Sequence, residues 1–140
     1  MIELRRDKSS IEMSLTIWTF SLELARIAGW IPAGTRKHDP AGGSSVDPLQ
    51  GFRHLINWQN EYRFSDGQVV CETDARLMGE SLATVAVAGE RILQDWSTTA
   101  GRIPGIRTQA KDFNWFTTPE GKQHLRNLAD FCRGGAFQIC

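Results

Sequence analysis

Three cysteines and three histidines are the side chains best suited to nucleophilic chemistry: Cys71, Cys132 and Cys140, with His38, His54 and His124. A cysteine nucleophile needs its thiolate beside a base, most often histidine. His124 and Cys132 fall eight residues apart on one predicted helix. That separates them by about 12 Å along the axis, too far to pair there. Cys132 also lies on the apolar face of that helix and reads as a core residue. Cys71 stands at the start of another predicted helix, where the helix dipole can lower a thiol pKa. A linker or cap role accounts for it more simply. Glu61, Asp66, Glu72 and Asp74 gather near a predicted hairpin and that same helix start. Two carboxylates facing one cleft would suit acid–base hydrolysis. Glu72 and Asp74 are better explained by the preference of a helix N-terminus for negative charge.

Other chemistries find less support. There is no CxxC, HxxxH or HExxH, so neither a metal nor a cofactor is expected. Gly42-Gly43-Ser44-Ser45 lacks the spacing of a phosphate loop and follows no strand. Arg102, Arg107 and Lys111 near Phe113 and Trp115 imitate a basic, aromatic stacking surface. However, 16 Lys and Arg balance 16 Asp and Glu, and the aromatics have a better use in a core. Nucleic acid is therefore not an expected partner. No stretch approaches the ~20 apolar residues of a membrane span. The charged opening MIELRRDKSS carries no signal-like apolar run. The odd, widely spaced thiols fit a reducing compartment, so a cytoplasmic protein is expected.

The elements that would position these residues are clearer. A chain of 140 residues is the size of one domain, expected here over 1–140 with a flexible loop at 34–50. The fold class expected is α+β, mostly α. Residues 15–28 form a helix that is apolar around most of its circumference, so other elements must surround it. Its narrow polar stripe, Thr16, Thr19, Glu23 and Arg26, is expected to be its one solvent-facing line. Ser14 suits the N-cap and Gly29 the left-handed stop. A second helix over 73–96 shows an apolar face of Ala75, Met78, Leu82, Val85, Ile92 and Trp96. Gly79 and Gly89 on it imply close packing or a kink. The last helix, over 118–133, is announced by Thr117 and Glu120 at capping-box spacing and by Pro119 in the first turn. Asp66-Gly67 predicts a short β-hairpin over about 62–70. Ile2–Arg5, Ile11–Met13 and Ala136–Ile139 are candidate short terminal strands. Phe52–Trp58 reads as a short helical turn, and 97–117 as irregular with its aromatics laid over the core.

Trp18 with Glu23-Leu24-Ala25, Ala28-Gly29-Trp30 and Pro32-Ala33-Gly34-Thr35 begins a longer pattern. Trp58, Tyr62, Asp66-Gly67-Gln68-Val69-Val70 and Asp74-Ala75 continue it, and Phe131-Cys132-Arg133-Gly134-Gly135-Ala136-Phe137-Gln138-Ile139 closes it. In order and spacing the chain resembles a family of small uncharacterised bacterial proteins. Cys71 stands where that family prefers Ser or Thr. The resemblance implies a shared fold and a bacterial or phage origin, and supplies no catalytic residues. The expectation is a non-catalytic protein-interaction or binding module of the accessory or immunity type, engaging another protein or a second copy of itself. Its candidate surface is Trp58, Tyr62, Arg63, Arg36 and His38. The alternative is a small hydrolase or thiol-dependent enzyme with a site near the hairpin and the start of the second helix.

Overall fold

The computed structural model describes residues 1–35, 62–63, 67–98, 106 and 108–140. Among the described residues, four helices stand against one small antiparallel sheet, an α+β architecture that is mostly helical. Strands β1 (Ile2–Arg6) and β2 (Ser9–Met13) form a hairpin whose connecting Asp7 takes a φ of 51°. Asp tolerates this left-handed conformation better than most residues. Helix α1 spans Leu15–Ile27, α2 Glu72–Thr98 and α3 Pro119–Arg133. A 3-10 helix, Ala110–Thr117, precedes α3. Strands β3 (Val69–Val70) and β4 (Phe137–Ile139) complete the sheet in the order β2-β1-β4-β3. Among the described residues, no helix is long and apolar enough to cross a membrane.

The local signals explain most of these boundaries. Ser14 Oγ accepts the Ile17 amide at 3.1 Å and caps α1. At the other end Gly29 takes a φ of 105°. Its N–H bonds Arg26 O at 3.0 Å, and the Trp30 N–H reaches back to Ala25 O at 2.9 Å. This is the paired closure that a left-handed residue makes possible. Helix α2 packs along α3, and Gly79 sits at their closest approach. A Cβ on it would lie 2.8 Å from Ala129 O. The inward face of α2 is the expected one except that Leu93, rather than Ile92, is buried. The kink falls at Ala88 (φ −125°, ψ 24°), one residue before Gly89. The C-terminus of α3 is closed from the sheet. Arg6 of β1 donates to Phe131 O and Gly135 O and lies over the Phe131 ring, 4.5 Å from its centre. A cation there complements the helix dipole.

Several expectations need correction. The α3 cap is Thr118, whose Oγ1 accepts the Gly121 amide at 3.2 Å. Thr117 instead ends the 3-10 helix and donates to Asn114 O. Thr117 has the capping-box spacing to Glu120, but the 3-10 helix takes it in one residue before the cap. Residues 110–117 are helical, not irregular. The strand expected at the end of 62–70 exists, but β3 pairs with β4, Val69 against Gln138 and Val70 against Phe137. Tyr62 and Arg63 lie in a turn, with Tyr62 at a φ of 70°, so the described part of 62–70 is not a local hairpin. Gly34 and Thr35 belong to the packed body, whereas 36–50 and Phe52–Trp58 lie outside the described residues. The stripe on α1 is not all wet. Glu23 is buried and accepts the Thr108 hydroxyl at 2.7 Å, while Leu15 is exposed.

The core runs between the sheet and the helices. Trp18, Leu24, Met78, Leu82, Phe113, Leu125, Leu128 and Ile139 are all fully enclosed. Phe113 of the 3-10 helix touches Phe20 of α1 and Trp96 of α2 edge-on, with ring centres 5.4 and 6.1 Å away. Edge-on contacts suit the quadrupoles of aromatic rings.

Candidate functional site

Two regions gather polar or aromatic groups in a way that invites a functional reading. The first surrounds Asp74, in the first turn of α2. Its carboxylate is buried. Oδ1 accepts the Ala33 amide at 2.9 Å, and Oδ2 accepts the Gly34 amide at 2.8 Å and the Tyr62 hydroxyl at 2.7 Å. The Asp74 carbonyl accepts the Trp30 indole at 3.0 Å. Gln68 extends the network. Its Oε1 accepts the Tyr62 amide at 2.9 Å and its Nε2 donates to Thr35 O at 3.0 Å. The Trp18 indole donates to Tyr62 O. Burial, and then the Asp74 carboxylate, push the Tyr62 hydroxyl far above the usual tyrosine range.

In this network the carboxylate is answered by three donors, all from the protein itself. Such an enclosed, hydrogen-bonded cluster holds segments together. Cys71, next to it, is half-buried, and burial raises its thiol pKa. The neutral thiol is therefore favoured, which is the opposite of what a nucleophile needs. The predicted role of Tyr62 as an exposed interaction residue is corrected: the side chain is 1% exposed and stacks on Trp30 at 6.2 Å. Aromatic content near a predicted loop suggested exposure, but Gln68 and Asp74 draw the ring inward. Arg63 is partly exposed. Burial, and then the Arg63 charge, lower the pKa of the Arg26 guanidinium. Trp58, Arg36, His38, His54, Glu61 and Asp66 lie outside the described residues. Cys132 is enclosed, and burial pushes its thiol up to about 12.

The second region is an open groove of about 600 Å³ between the sheet edge and the start of α3. Ile11 and Glu12 of β2 form one side; Trp115, Glu120, Gln123 and His124 form the other. Trp115 is placed by the 3-10 helix, whose N-terminus is closed by a capping box between Gln109 and Asp112. Phe113 and Phe116 point into the core, which leaves Trp115 on the outer side, 40% exposed. Its ring is braced by Phe116 at 5.0 Å and by the His124 imidazole at 5.7 Å.

His124 is half-buried, and desolvation lowers its pKa, so the neutral ring is favoured. Its Nε2 lies 3.4 Å from Ser21 Oγ of α1. That serine already donates to Ile17 O at 2.7 Å and is fully buried. Toward His124 it can only accept, which places the imidazole proton on Nε2. A serine enclosed in this way does not act as a nucleophile; the pair fixes the ring. Gln123 donates to Asn127 at 2.9 Å on the same helix face. Residue spacing did not reveal the groove. The sequence groups Trp115 with Phe113 and Phe116 as a core aromatic, and Ser21 and His124 are far apart in the chain.

Among the described residues, no three His, Cys, Asp or Glu side chains gather as a metal-binding group. No family model matches the chain, and neither a curated protein nor a solved structure matches it.

Proposed function

We propose that the protein is a non-catalytic binding module that engages another protein, in the manner of an accessory or immunity-type partner, in the bacterial cytoplasm. The observation that carries this reading is Trp115: a braced indole, 40% exposed, at the wall of an open groove. Tryptophan is the side chain most over-represented among residues that dominate the energy of protein interfaces. The rest of the molecule supports the same reading. The strongest polar cluster, around Asp74, is closed on itself. Partial burial raises the pKa of the Cys71 thiol and disfavours its reactive form, which gives a thiol-dependent enzyme less support. The formal charge of zero favours protein over nucleic acid as the partner class.

The test is affinity capture from a native bacterial lysate with the wild-type chain and with Trp115→Ala, each bound protein being identified by mass spectrometry. A defined partner held by the wild type and lost with Trp115→Ala is the expected result. Self-association is measured in parallel by light scattering. A wild-type chain that holds no partner and stays monomeric would overturn the reading.

A further inference from the structure

We draw no further inference here: the strongest candidate, the open groove that Trp115, Pro119 and His124 form with Ile11 at the β2 edge of the sheet, belongs to the site already described, and nothing in the structure shows what covers it.

Discussion

Asp74→Asn is the substitution that most directly probes what holds the two chain segments to α2. The change keeps shape and volume and replaces one acceptor oxygen by a donor. Three donors now converge on the carboxylate: the Ala33 and Gly34 amides and the Tyr62 hydroxyl, at 2.7 to 2.9 Å. With its oxygen in the Oδ2 place, asparagine keeps Gly34 and Tyr62 but turns its NH2 toward the Ala33 N–H. With the opposite orientation the Tyr62 hydroxyl can rotate to accept, and the Gly34 N–H is left facing a donor. Either way one backbone N–H loses its acceptor. A buried unsatisfied donor costs about 1–3 kcal/mol, and the remaining bonds lose their charge assistance, so the total loss is about 2–4 kcal/mol. Tyr62→Phe removes one donor and leaves two amides on the carboxylate, which costs about 1.5–3 kcal/mol. Because both residues share one bond, the double variant should cost less than the sum, by about 1–2 kcal/mol. Urea unfolding followed by tryptophan fluorescence measures all three, since Trp18 and Trp30 donate into the network. If Asp74→Asn lies within about 0.5 kcal/mol of wild type, the network is not what holds these segments.

Tyr62 is the only tyrosine in the chain, so absorbance near 295 nm reports its ionisation alone. The folded hydroxyl has a raised pKa, so its contribution to stability is complete below the unfolded value of about 10 and is lost as pH rises above it. The native protein should show no phenolate signal at pH about 10.5, and the signal should appear together with unfolding; a reversible titration near 10 in folded protein would contradict the burial. Thr118→Ala should destabilise by about 1 kcal/mol through loss of the α3 cap, and Thr117→Ala by less than about 0.5 kcal/mol, as read from thermal or urea midpoints. The reverse order would restore Thr117 as the cap.

Legibility in the sequence followed the range of the interaction. Ser14, Gly29 and Pro119 act within one helical turn, and their signals placed the ends of α1 and the start of α3 to within a residue or two. Gly79 was legible for a related reason, because a glycine inside a good helix asks for a close neighbour. Glu23 was misjudged because helical spacing groups it with Thr16, Thr19 and Arg26, while its acceptor role depends on Thr108, far along the chain. The strand at Val69–Val70 was visible as β-prone sequence, but its partner was not. The Asp66-Gly67 signal favoured a local turn, whereas the backbone found β4. The groove was the least legible part of all. It depends on which of three aromatics in a 3-10 turn points outward, and that is decided by the packing of Phe113 and Phe116.

The Gln68 amide ties together segments far apart in the chain. Its oxygen takes the Tyr62 N–H and its nitrogen gives to the Thr35 carbonyl, so one side chain spans the points where the chain leaves and re-enters at 36–61. The two ends of that stretch are thus stapled to each other and, through Asp74, to α2. Loss of the Gln68 side chain should therefore free Thr35 and Tyr62 together.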